Sequence, residues 1–218
     1  MDARLLSPTN CLRLYLEAGW PRCFGIVRKE NTLSKIYTSY EQVSRAYNKV
    51  RMELWDLGVL WDGSKLEAVD CIHDPIPLEC IWHSAEGLWK KELNAIVFPM
   101  FYLAGGEKDS SIDIFRHEFG HALADRYPKA LRDDDLFKKA FGGPYGVRPA
   151  RGTGPDDWEG RCVTEYAVTQ TQEDFAETFM FYLKHKGKIP AKFAKKPAIR
   201  KKWKAVAKII RRVGRCSR

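Results

Sequence analysis

Apolar positions recur with helical spacing in four stretches of the chain. From Tyr40 to Leu57 they fall at Val43, Ala46, Tyr47, Val50, Leu54 and Leu57, steps of 3, 1, 3, 4 and 3 that predict an amphipathic helix stopped by Gly58. A second pattern runs from about Ser111 to Tyr127, with Ile112, Phe115, Phe119 and Ala122 as its stripe and Pro128 as its end. A third covers about Gln172 to Lys186, with Phe175, Phe179, Tyr182 and Leu183 in the stripe and Gly187 and Pro190 as stop signals. The fourth, about Pro197 to Val213, carries Ile199, Trp203, Val206, Ile210 and Val213 at steps of 4, 3, 4 and 3. Ser110 with Asp113, and Thr171 with Asp174, have the spacing of capping boxes. Leu66 to Ile72 and Asn94 to Met100 read as strands, and Pro99 argues that the second lies at a sheet edge. Residues 1–30, punctuated by Pro8, Gly19, Pro21 and Gly25, read as irregular, and residues 142–160 as a long loop. The expected class is α+β, a small sheet packed on the second helix with the third helix crossing beneath.

Composition adds a polarity to this picture. The chain has 218 residues, 37 of them Lys or Arg and 28 Asp or Glu, and is long enough for one domain with a core of its own. Residues 178–218 hold 15 Lys or Arg and no acid, which leaves 22 basic and 28 acidic residues, a net charge of −6, in residues 1–177. The basic segment admits an acidic partner, nucleic acid or an anionic membrane, against the plainer reading of a solvated helix face. The fourth helix is expected chiefly to dock its apolar stripe on the domain, although a basic amphipathic helix can also lie on a membrane. No apolar run approaches a membrane span, and the first residues lack the apolar core of a secretory signal, so a cytoplasmic location is expected. The six cysteines, Cys11, Cys23, Cys71, Cys80, Cys162 and Cys216, are on that ground expected to be reduced.

The most informative segment is His117-Glu118-Phe119-Gly120-His121, an HExxH motif inside the second helix. Histidines at i and i+4 lie one turn apart on one face and can reach a single zinc ion. Glu118, rotated by about 100° from His117, is placed to hold a water on that zinc and take its proton. Gly120 costs about 1 kcal/mol in a helix interior relative to Ala, which makes sense if another element or the metal site approaches closely there. Catalytic zinc usually takes a third protein ligand. The metzincin position for a third His, six residues after His121, is Tyr127. The third helix instead offers Glu173 and Glu177 at i and i+4. Spacing leaves open which of them reaches the metal and which orients a ligand histidine from behind, or whether both are helix N-terminal acids.

The HExxH motif together with Tyr166-Ala167-Val168-Thr169-Gln170-Thr171-Gln172-Glu173-Asp174-Phe175-Ala176-Glu177 resembles the core of gluzincins related to anthrax lethal factor and the Pro-Pro endopeptidases. It also resembles bacterial zinc-binding metallopeptidases that carry a Glu-Asp-Phe-Ala-Glu segment. The resemblance covers roughly residues 94–183. The expected organisation is an irregular segment over residues 1–30, a zincin-like domain over 31–190, and a basic amphipathic helix over 191–218 packed on that domain. The resemblance implies Glu173 as third ligand, Glu177 as the partner of a ligand histidine, and Tyr166 as donor to the oxyanion. The activity implied is zinc-dependent peptide-bond hydrolysis, endopeptidic because no sequence feature marks a pocket for a chain terminus. A non-catalytic zincin-like protein that binds an acidic partner or nucleic acid through the basic segment is the competing reading.

Two weaker patterns complete the set. Gly152-Thr153-Gly154-Pro155-Asp156 partly resembles an aspzincin stretch, which would make Asp156 a ligand. Cys71, His73, Cys80 and His83 lie within 13 residues and could hold a structural metal, Cys71 could pair with Cys80, or all four could be ordinary core and surface groups.

Overall fold

The computed structural model describes residues 39–74, 87–99, 111–131, 135–147 and 155–215. Residues 36–218 form one compact unit. The N-terminal segment 1–30, Cys80, His83 and Ser110 fall outside the described residues.

Helix α1 (Tyr40–Asp56) begins at a reciprocal cap: Gln42 donates its backbone N–H to Ser39 Oγ at 3.2 Å, and Ser39 donates its own to Gln42 Oε1 at 3.1 Å. Val43, Ala46, Val50 and Leu54 bury its apolar stripe. Gly58, at φ +67°, turns the chain away where a side chain would be strained.

Among the described residues the sheet has three strands: β1 (Asp70–Asp74), β2 (Leu88–Lys90) and β3 (Ala95–Pro99), in the order β1-β3-β2. β3 runs parallel to β1, with Cys71 opposite Ile96, and antiparallel to β2, with Trp89 also opposite Ile96. β3 is therefore the central strand, buried at all five residues, and the edge position expected from Pro99 is corrected. Pro99 is its last residue, where a missing N–H interrupts nothing further along the ladder. The first strand begins later than expected, at Asp70, because Leu66 to Val69 forms a turn with Val69 N donating to Leu66 O at 3.1 Å.

Helix α2 (Ser111–Arg126) lies under the sheet, its Phe115 ring 5.1 Å from Phe98 of β3. Pro128 ends it and opens the short helix α3 (Pro128–Leu131), since proline suits a first helical position. Helix α4 (Asp135–Phe141) follows, then two 3₁₀ turns (Pro155–Gly160 and Tyr166–Val168) and helix α5 (Thr171–Lys184). Helix α6 (Ala191–Ala194) and helix α7 (Pro197–Arg215) complete the chain. Phe119 of α2 and Phe175 and Phe179 of α5 are fully buried where those helices meet.

The capping box expected at Thr171 does not form as read, and the one expected at Ser110 falls on a residue outside the described ones. Helix α5 starts at Thr171 itself, with Gln170 before it. Thr171 Oγ1 donates to Pro144 O at 2.6 Å and so ties the helix start to the preceding loop. Asp113 and Asp174 serve long-range ion pairs. Asp113 meets Arg116 at 2.5 Å and Lys184 at 2.6 Å, while Arg116 also holds Glu53 of α1 at 2.7 Å. Asp174 meets Lys202 of α7 at 2.5 Å. The apolar stripe of α7 is buried, and Trp203 Nε1 donates to Gly187 O at 2.9 Å.

Candidate metal centre

Helix α2 carries His117, Glu118 and His121, and α5 carries Glu173 and Glu177, so the spacing between these two helices decides whether the groups meet. Gly120 sets that spacing. A Cβ placed there would stand 3.0 Å from Ala176 Cα, 3.3 Å from Phe179 Cδ1 and 3.4 Å from Ala176 Cβ. Only glycine lets the α5 backbone come this close, which is the reason the sequence tolerates its helical cost.

At this spacing three donor atoms converge. His117 Nε2 lies 3.1 Å from His121 Nε2 and 3.2 Å from Glu173 Oε2, and His121 Nε2 lies 3.3 Å from the same oxygen. Among the described residues this is the group of His, Cys, Asp or Glu side chains gathered closely enough to hold a metal ion. Ligands at about 2.0–2.1 Å from a tetrahedral zinc are about 3.3–3.4 Å apart, so the triangle is close to the size that zinc requires.

The other faces of the imidazoles are held as well. His117 Nδ1 is 2.6 Å from Glu177 Oε1, and Glu177 Oε2 accepts from Thr164 Oγ1 at 2.9 Å. His121 Nδ1 is 3.0 Å from the Tyr145 hydroxyl. Partners at both Nδ1 atoms orient the rings so that both Nε2 atoms face the same point, as supporting groups do around metals. Of the two carboxylates that spacing left undecided, Glu173 faces the Nε2 pair and Glu177 lies behind His117.

The charges of the cluster are coupled. Burial opposes a charge on His117, but its hydrogen bonds to Glu173 and Glu177 and the field of Glu118 outweigh it and raise its pKa to about 10. Burial likewise pushes Glu173 up, while hydrogen bonds to His117 and His121 hold it well below the ordinary carboxylate range. Carboxylates thus surround the imidazoles, and a metal ion bound here would displace the proton from His117.

Glu118 is buried, and its Oε2 accepts the backbone N–H of Trp89 in β2 at 2.7 Å. The Trp89 ring is fixed in turn: its Nε1 donates to Asp125 at 2.6 Å and the Arg126 guanidinium lies 5.5 Å from it. Tyr166 is 56% exposed, its ring 6.0 Å from that of His117. Burial of its hydroxyl, then the nearby Glu173 carboxylate, raise its pKa, so the phenol stays a proton donor at neutral pH.

Sequence reasoning missed Tyr145, Thr164 and Trp89. They come from loops and from a three-residue strand, and no periodic signal connects them to the histidines. Asp156 lies in the first 3₁₀ turn, and its side chain is outside the described residues. Cys71 and Cys162 are free thiols, and burial, then Asp70, push the Cys71 thiol up to about 12. Cys71 and His73 share a face of β1, but their suggested companions Cys80 and His83 lie outside the described residues.

Residues 110–199 match the model of a family described as "Putative zinc-binding metallo-peptidase", a stretch that begins beside α2 and ends at the start of α7. Uncharacterized proteins of Mycobacterium bovis and Mycobacterium tuberculosis are 38% identical to this chain over 76 residues, which is 32% of this chain and 22% of theirs. The match therefore spans about a fifth of those relatives' length. No solved structure matches the chain. The matched region is similar to that family, and the architecture around it is mixed α and β with a small sheet. Among the described residues no helix is long and apolar enough to cross a membrane.

Proposed function

We propose that this chain is a zinc-dependent endopeptidase of the gluzincin type, with His117, His121 and Glu173 as the ligands. The observation that carries this reading is the donor triangle of 3.1, 3.2 and 3.3 Å with the buried Glu118 carboxylate on the adjoining face of the same helix.

Zinc supplies Lewis acidity when bound there, lowering the pKa of water and polarising a peptide carbonyl. The remaining work falls to the chain. Glu118 acts as general base: it takes the proton of the attacking water and hands it to the departing amine. The Trp89 N–H occupies one of its oxygens, which fixes the carboxylate and leaves the other for the proton. Tyr166, half-exposed beside His117, donates to the oxyanion of the tetrahedral intermediate. Glu177 and Tyr145 keep the two imidazoles turned inward.

Two measurements test this reading. Zinc in the purified protein is expected at one equivalent, lost in His121→Ala and Glu173→Ala. Glu118→Gln is expected to keep the metal and the fold but lose at least about two orders of magnitude in cleavage of a quenched-fluorescent peptide library. A Glu173→Ala protein that retains stoichiometric zinc, or an undiminished Glu118→Gln, would sink it.

A further inference from the structure

Helix α7 presents two faces of different chemistry. Ile199, Trp203, Val206, Ile210 and Val213 are all packed inward, between 0% and 6% exposed. Arg200, Lys201, Lys204, Lys208 and Arg211 are all exposed. At about 100° per residue these five cations fall within one arc of about 100°, on the side away from the stripe. The sequence has no acid from residue 178 to residue 218. Two acids of the domain interior do reach lysines of this region. Asp113 holds Lys184 and Asp174 holds Lys202, neither of which belongs to the outer row. Exposed Lys192 and Lys195, on α6 and just after it, extend the basic surface.

We propose that this face of α7 binds the phosphate backbone of nucleic acid, independently of the metal centre and without reading base sequence. An amphipathic helix enters a lipid surface with its apolar face, and here that face is already spent on the protein core. What remains is a row of charge without an apolar anchor, the kind of surface that matches a regular polyanion. The row from Arg200 to Arg211 spans about 17 Å at 1.5 Å per residue. A duplex carries about one charge per 1.7 Å of its axis, so about ten phosphates lie along that length and each cation can meet its own. The acidic balance of residues 1–177 repels a polyanion from the rest of the chain, which favours approach by this side.

The test is fluorescence anisotropy of the full chain with a labelled mixed-sequence DNA duplex of about two helical turns, over a salt series. Five phosphate contacts give a slope of log K against log salt of about −4.5, a loss of roughly 500-fold between about 50 and 200 mM salt. Lys201→Glu, Lys204→Glu and Lys208→Glu together should bring the slope to about −2 and weaken binding more than tenfold at low salt, with little change in melting temperature because all three are exposed. Lys49→Glu, Lys129→Glu and Lys139→Glu together change the net charge equally from other exposed positions and should leave the slope near its original value. Three results would overturn the proposal: no binding at low salt, equal losses in the two triple variants, or tighter binding to phosphatidylserine vesicles than to the duplex.

Discussion

Replacing Gly120 by Ala probes the link between helix packing and the metal centre. The added Cβ would stand 3.0 Å from Ala176 Cα, a backbone atom that cannot swing aside, and 3.3 Å from the Phe179 ring. Restoring ordinary contact requires α2 and α5 to part by about 0.4 Å at least, the gap between 3.0 Å and the lower edge of normal packing near 3.4 Å. Overpacking of this kind costs about 1–3 kcal/mol, and the better helix propensity of Ala returns about 1 kcal/mol. The net loss of stability is thus modest, about 0–2 kcal/mol. The centre is less forgiving. Its donors come from both helices, and metal–ligand distances are tolerated within about 0.2 Å, half of the required shift. Gly120→Ala is therefore expected to fold and to lose roughly 10–100-fold in zinc affinity, the range seen when groups that support ligands are removed. Competition with a chromophoric chelator measures the affinity and thermal unfolding measures the stability. Zinc affinity equal to wild type would show that the helix spacing does not set the donor triangle.

Other expectations follow from single contacts. Tyr145→Phe removes only the hydroxyl 3.0 Å from His121 Nδ1, while the ring keeps its neighbours Phe137 and Phe175; zinc affinity should fall about tenfold or more with little change in melting temperature, and an unchanged affinity would refute the orienting role. Asp113 governs part of the acid response. Burial raises its pKa, but Lys184 and Arg116 overcome that and hold it below the ordinary value. Its contribution is present above the unfolded pKa of about 3.9 and is lost as pH falls through the folded value. Asp113→Asn should accordingly flatten the loss of stability below about pH 4 in urea titrations, and an identical acid limb would count against it.

The four long helices were legible in the sequence because each buries one stripe, and a stripe is a local pattern. Their ends were legible where glycine or proline stops them, as at Gly58 and Pro128. Strand β2 was not, because three residues carry no period. The misread capping box at Thr171 has a physical cause. A Thr three residues before an Asp satisfies a local rule, yet Asp174 faces Lys202 far along the chain, and a buried pairing outweighs a cap open to solvent. The edge assignment of β3 failed for a related reason: Pro99 marks where the ladder ends, while strand order depends on partners that a strand does not encode. The candidate metal centre was half legible. Helical spacing put His117 and His121 on one face and Glu173 and Glu177 on another, but the choice between the two carboxylates required the crossing of α5 over α2. Tyr145 and Thr164 required the paths of two loops.

The buried pair Lys202–Asp174 joins the C-terminal helix to the first turn of α5, next to Glu173. Both side chains are nearly inaccessible, at 8% and 6% exposure, and Lys202 Nζ lies 2.5 Å from Asp174, with a further bond of 2.7 Å to Arg161 O. Such a pair adds little net stability compared with apolar groups of the same volume, but removing one partner strands the other charge and costs about 3–5 kcal/mol. Lys202→Met leaves Asp174 without its cation, so the melting temperature should drop by roughly 6–20 °C for a domain of this size. Lys202→Met combined with Asp174→Asn removes both charges and should recover more than half of that loss. The direction of recovery separates electrostatics from packing. If the damage came from altered packing or from the lost bond to Arg161 O, the second substitution would not relieve it and would add a further change to the core. If the stranded carboxylate is responsible, the second substitution relieves it. A double variant less stable than Lys202→Met alone would therefore refute the charge argument and leave the packing of its apolar stripe as the main attachment of α7.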